Sequence, residues 1–236
     1  MKQKRLVLAL ALACAAASAA DWPIHRGNLY FTGNNDDVLP ATNRVYFTLK
    51  ADSAIRYPAV ADGFLYFSTA RGWIYAIDEE TGDIRMKRFF GPKLDRPLLV
   101  TGNRLVCGGG HRVTAYERRR GGVLWTRELL EDLDGFLTAE TAQLYLTTTR
   151  HFHVLAMPDG KDVRPGLEQE SCGGFPVPAG PALFQVAGGA QRPIVLALNK
   201  ADGQAKWRQA LNPGTAQTPP LAFRDRVYVI SGTTLM

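Results

Sequence analysis

The sequence predicts an all-β protein, a β-propeller of four-stranded antiparallel blades, and three observations carry that expectation. A Pro-led apolar segment, a strand-like segment after a tight Gly turn, a third segment ending in Ala, and an acidic-x-x-x-Gly turn recur in one order. The turn glycines Gly82, Gly121, Gly160 and Gly203 are spaced 39, 39 and 43 residues apart. Repeats of about 40 residues with four short strands cannot bury their own faces and must stack on one another.

The first twenty residues differ in kind. Lys2, Lys4 and Arg5 form a positive n-region, Leu6–Ala13 is an apolar run, and Ala17-Ser18-Ala19-Ala20 offers small residues for cleavage. That is a secretory signal peptide over 1–20, too short to span a membrane. Cys14, which follows small residues, is the alternative processing point and a candidate lipid anchor. An N-terminal segment at 21–43 follows. Val45–Leu49 then reads as a fourth strand without the three that should precede it.

The partial propeller occupies 44–236, with repeats at approximately 53–90, 91–129, 130–169, 170–211 and 212–236. The first reads Pro58 to Ser68 around Gly63, then Gly72 to Asp78, then Thr81-Gly82. The second runs Pro97 to Cys107 around Gly102, then Val113 to Glu117, then Gly121 to Trp125. The third aligns on Leu144–Leu146, Val154–Ala156 and Asp159-Gly160, with Met157-Pro158 shortening its turn by two residues. The fourth runs Leu183–Val186, Val195–Asn199, Asp202-Gly203 and Trp207. Small Ala at 76, 115, 156 and 197 suits a strand crowded by the neighbouring sheet. Trp125 and Trp207, each four residues past the turn glycine, supply flat surface for blade packing, and Met86 and Arg164 fill that slot elsewhere. Four complete repeats with partial ones at each end give the expectation of a C-terminally truncated chain.

Charge excludes some partners. The formal net charge is +6 and drops to +3 once the three cations of residues 1–20 are removed, which argues for neither nucleic acid nor an anionic membrane. Arg118-Arg119-Arg120 sits before Gly121-Gly122 and reads as a solvated hairpin turn. No second apolar stretch reaches transmembrane length. Cys107 and Cys172 fall in different repeats and read as buried thiols, with a disulfide permitted by export. His151 and His153 alternate on one strand and offer two imidazoles, but no third ligand is evident and an exposed pair suffices. Gly108-Gly109-Gly110 reads as a flexible turn between strands. The acidic residues Asp78, Glu79, Glu80, Glu117, Asp159 and Asp202 sit where turn hydrogen bonding explains them. No catalytic, cofactor-binding or metal-ligating residue is therefore named, and no cofactor.

Ala76-Ile77-Asp78-Glu79-Glu80-Thr81-Gly82 resembles the pyrroloquinoline-quinone-type (PQQ-like) propeller repeat, whose consensus runs Ala-x-Asp-x-x-Thr-Gly-x-x-x-Trp. Ala197 to Trp207 matches with Asn199 for Asp, and Ala115 to Trp125 with Glu117. The Asp21-Trp22-Pro23 opening and Thr32-Gly33 are similar to the start of exported members. The family includes quinoprotein dehydrogenases and the propeller lipoprotein of the outer-membrane β-barrel assembly machinery. The resemblance implies seven or eight blades. It also implies, for the enzymes, a catalytic Asp, calcium ligands and often adjacent cysteines, and this chain has no Cys-Cys pair. The expected function is a non-enzymatic periplasmic or secreted scaffold whose blade loops bind a protein partner, in cell-envelope or outer-membrane assembly. The alternative is a fragment of a PQQ-dependent oxidoreductase.

Overall fold

The computed structural model describes residues 45–235 except 141, 169–173, 189–191, 213–218, 224–225 and 232–233. The signal peptide, the 21–43 segment, Cys14 and Cys172 lie outside the described residues. Four antiparallel sheets follow one another: β1 (Ile55–Ala61) to β4 (Ile84–Phe89) through β2 (Phe64–Thr69) and β3 (Trp73–Asp78). The second holds β5 (Leu99–Thr101), β6 (Arg104–Gly109), β7 (Arg112–Glu117) and β8 (Val123–Glu128). The third holds β9 (Thr138–Glu140), β10 (Gln143–Thr147), β11 (His151–Ala156) and β12 (Leu167–Glu168). The fourth holds β13 (Val177–Ala179), β14 (Ala182–Ala187), β15 (Ile194–Asn199) and β16 (Ala205–Ala210). Two short pairs close the described chain, β17 (Leu221–Phe223) with β18 (Arg226–Tyr228) and β19 (Ile230–Ser231) with β20 (Thr234–Leu235).

Every four-stranded sheet is a meander, each strand hydrogen-bonded to its sequence neighbour. The first strands of successive sheets touch, so first strands lie inward and fourth strands form the outer edges. Turn chemistry sets this pattern. Gly82 has φ +77° and its N–H donates to the Asp78 carbonyl at 2.9 Å, a backbone conformation that favours glycine. Asp78 Oδ1 accepts the N–H groups of Glu80 and Thr81 at 3.2 and 3.1 Å. The Glu117 carboxylate accepts those of Arg119 and Arg120 at 3.2 and 2.6 Å.

The same bonds correct the alignment of the third repeat. The N–H of Gly82, Gly121, Gly160 and Gly203 donates to the carbonyl of Asp78, Glu117, Ala156 and Asn199 respectively. The third turn therefore has the same length as the others, and Ala156 takes the acidic slot, with Val154 in the small-residue slot. Ala76, Ala115 and Ala197 are fully buried, as is Val154 within 1%, whereas Ala156 is half-buried. In the same alignment His151 is the counterpart of Trp73 and Arg112, each the first residue of its sheet's third strand.

The residue four past each turn glycine packs on the turn glycine of the next sheet. A β-carbon on Gly121 would lie 2.5 Å from Met86 Sδ, and one on Gly160 would lie 2.5 Å from Trp125 Cε3. Arg164, joined by Leu167, takes that place on Gly203. Phe47 sits likewise on Gly82, 2.8 Å from such a β-carbon, although residues 45–50 form no strand. The segment thus supplies the docking side chain without a ladder. Trp125 is 7% exposed and its Nε1–H donates to the Met157 carbonyl at 2.8 Å. Trp207 departs from the expectation and is 44% exposed.

Apolar clusters fill the spaces between successive sheets. Tyr66, Ile74 and Met86 meet Leu98, Leu105 and Cys107 between the first and second. Val106, Val113 and Trp125 meet Leu144, Leu146 and Leu155 between the second and third. Tyr145, Phe152 and Val154 meet Leu183, Leu196 and Leu198 between the third and fourth. Gly108 and Gly109 lie inside β6, not in a flexible turn. A β-carbon on Gly108 would come 2.7 Å from Leu133 Cδ1, and one on Gly109 would strike the Lys93 carbonyl.

Charged pairs cross between sheets from cations at equivalent positions to carboxylates one position apart. Arg118, one past the acidic turn slot of the second sheet, pairs with Asp62 of the first. Lys200, its counterpart in the fourth, pairs with Glu140 of the third. Arg118 is consequently buried, which corrects the expectation of a wholly solvated arginine turn; Arg119 and Arg120 are exposed.

Candidate functional site

The two histidines named from the sequence lie with three carboxylates and an arginine around an inter-sheet cleft of about 410 Å³. The cleft exists because the third sheet's outer strand is interrupted. Asp162 bridges Leu155 and the Val163 N–H still donates to the Val154 carbonyl at 2.8 Å. The chain then leaves the ladder over Arg164–Gly166, and β12 rejoins it opposite His151 and Phe152. Pro165 within that excursion has no N–H to give a ladder.

His151 and His153 project to the same face of β11, with ring centroids 5.9 Å apart. They are half-buried rather than exposed. His151 Nδ1 lies 2.9 Å from Glu131 Oε1. Glu131 Oε2 accepts from Thr148 Oγ1, Thr149 Oγ1 and the Arg150 N–H at 2.7, 3.3 and 2.8 Å. Partial desolvation opposes its ionisation, but these hydrogen bonds and His151 outweigh it and hold the carboxyl at about 2. His153 Nδ1 is 3.8 Å from Asp162 Oδ1, and Asp162 also pairs with Arg127 of β8. Burial holds the His153 imidazole below its ordinary value, with Asp162 pulling the other way and His151 and Arg127 adding to the depression. The network ties β8 to β11 across the sheet boundary. Among the described residues no three His, Cys, Asp or Glu side chains converge to hold a metal ion.

The other residues singled out from the sequence are placed apart. Asp78, Glu117, Asp159 and Asp202 each accept backbone N–H groups within their own turns. Cys107 is buried between the first two sheets, and desolvation raises its thiol. A cluster near the inner edge carried no sequence signal. Phe136 meets Phe175 at 4.1 Å and Tyr57 at 6.5 Å. Tyr57 has φ +49° at a bulge in β1, a conformation rare outside glycine.

A sequence profile of the outer membrane protein assembly factor BamB family matches residues 15–149 and again 112–235. The chain belongs to that family. No curated protein matches the chain. Among solved structures, this BamB-family chain is similar to BamB from Moraxella catarrhalis, with TM-score 0.57, 15% identity, and coverage of 70% of this chain and 54% of that one. The quinohemoprotein alcohol dehydrogenase from Comamonas testosteroni matches with TM-score 0.68 and 15% identity, over 86% and 43% of the two chains. A europium-containing methanol dehydrogenase gives 0.66 and 12% over 82% and 49%. The fold shared with these proteins is the β-propeller. The chain spans about half the length of each of them.

Proposed function

We propose that this BamB-family chain is a non-enzymatic exported scaffold that binds a protein partner, in cell-envelope or outer-membrane assembly. The observation that carries the reading is the use of the acidic residues. Asp78, Glu117, Asp159 and Asp202 spend carboxylate oxygens on the N–H groups of their own turns, so the repeat's most regular polar residues build blades. The family membership supports an assembly role, and the Lys2 to Ala20 pattern supports export. The quinoprotein reading is favoured by the structural overlap with two dehydrogenases, a likeness of fold.

Two measurements test the proposal. The protein produced from its full gene in a bacterium carries a mature N-terminus at Ala20 or Asp21, or a lipidated Cys14, by mass spectrometry; an intact Met1 on a cytoplasmic product removes export. Titration with pyrroloquinoline quinone and calcium gives no saturable fluorescence quenching and no dye-linked alcohol oxidation. Micromolar binding with turnover would instead establish the oxidoreductase.

A further inference from the structure

The outer edge strands can be compared position by position. β4 carries Arg85 and Lys87 at its second and fourth residues, and β16 carries Lys206 and Arg208. β8 carries Leu124 and Thr126 there. Cations on an edge strand oppose docking of a further strand, because pairing would bury them. β8 lacks that protection, and its Val123 and Leu124 are 62% and 45% exposed.

Among the described residues no strand pairs with the outer side of β8. The Leu129 N–H donates to the His111 carbonyl at 2.7 Å. By alternation Arg127 and Trp125 direct their backbone groups to β7, and those of Thr126 and Glu128 point outward. The two ends of the strand differ in charge. Arg119 and Arg120 are exposed just before it. Glu128 and Asp132, both more than half exposed, stand at its far end with Glu131. Lys93 and His111 lie beside them, and the three carboxylates outnumber that one lysine, so that end is negative.

We propose that the outer edge of β8 docks an extended segment of a protein partner, which adds to the second sheet as an antiparallel fifth strand. Antiparallel pairing places the incoming segment's start beside Glu128 and Asp132 and its end beside Arg119 and Arg120. The segment is therefore basic at its start, β-branched or apolar through its middle, and acidic at its end. Backbone bonds to Thr126 and Glu128 supply affinity, and the charged ends set direction. This rests on the scaffold reading and names the surface that serves it.

The probe is a capped peptide reading Lys-Arg-Thr-Val-Thr-Val-Thr-Val-Glu-Asp, with its charge-reversed counterpart Glu-Asp-Thr-Val-Thr-Val-Thr-Val-Lys-Arg as control. The full protein binds the first more tightly by fluorescence anisotropy, with new hydrogen-exchange protection at the Thr126 and Glu128 amides. The double variant Leu124→Arg/Thr126→Lys, which installs the cations of β4, keeps its unfolding midpoint and weakens binding by about tenfold or more. No binding, equal binding to the double variant, or protection confined to other strands overturns the proposal. So does self-association by light scattering that the double variant abolishes, since the occupant is then a second copy. Crosslinking in the producing bacterium separates the two readings: an envelope partner captured equally by both proteins leaves the scaffold standing and removes only β8.

Discussion

At the scale of single residues, the contact between a docking side chain and a turn glycine decides most. Gly160 has φ +69° and no room for a methyl group against Trp125. Gly160→Ala therefore both strains the turn and displaces the indole, and Trp125→Ala opens a cavity and orphans the Met157 carbonyl. Each substitution lowers stability by about 3–5 kcal/mol in chemical denaturation. Trp207→Ala, at a side chain nearly half exposed, costs about 1 kcal/mol or less by the same measurement. Equal losses at the two tryptophans would refute this account of docking. His153 supplies a pH dependence. Its folded-state value lies below the ordinary imidazole value of about 6.5, so the folded protein binds fewer protons than the unfolded chain. Stability from this group is full above that value and is lost as pH falls below it towards the depressed one. Glu131 acts in the same direction, but only below the ordinary carboxylate range, as its own value is held at about 2. The denaturation midpoint of His153→Gln accordingly falls less between pH 7 and pH 5 than that of the unaltered protein.

At the scale of elements, the four-strand meander was legible because Gly63, Gly102, Gly82 and Gly121 punctuate it at fixed offsets. The third repeat was misread by two residues for a physical reason. Ala156 looks like the small-residue position, yet turn length is set by the Ala156–Gly160 backbone bond; the missing carboxylate there removed the usual marker. Asp159 still caps the far side of the turn through the Lys161 N–H at 3.1 Å. The His151–His153 alternation was legible as one face of a strand. Its partners Glu131 and Asp162 were not, since they reach it from a connector and from an interrupted strand. Restoring that strand is testable. Pro165→Thr with Gly166→Val returns an N–H and adds a β-branched residue. However, a β-carbon at 166 would lie 2.9 Å from His153 Cε1. The double variant is therefore expected to lose stability unless His153→Ala accompanies it, and a gain in the presence of His153 contradicts the packing described.

At the scale of the whole molecule, stability resides in boundaries between sheets, and these are unequal. The second and third sheets are joined by Trp125 and a broad aliphatic cluster. The third and fourth are joined by a smaller one, with Arg164 in the docking slot; its Nη1–H donates to the Lys200 carbonyl at 2.8 Å while its Nε is buried without a partner. Native-state hydrogen exchange is expected to be slower in β6, β7 and β10 than in β14 and β15. Uniform protection across the four sheets would show that these boundaries do not differ.

The crossing ion pairs of the hairpins have a consequence for assembly order. The sheets resemble one another closely enough that any could stack on any other by shape alone. Position 118 of the second sheet corresponds to Glu79, Met157 and Lys200 in the others, and it faces the end of a neighbouring first strand and the turn after it: Ala61-Asp62, Thr101-Gly102, Glu140 or Ala179-Gly180. Arg118 meets Asp62 and Lys200 meets Glu140. The fourth sheet stacked on the second would set Lys200 against Thr101, burying a cation without its carboxylate. The alternation of charged and neutral contacts at this one hairpin position thus works as a key, so that among look-alike parts each sheet finds its proper predecessor.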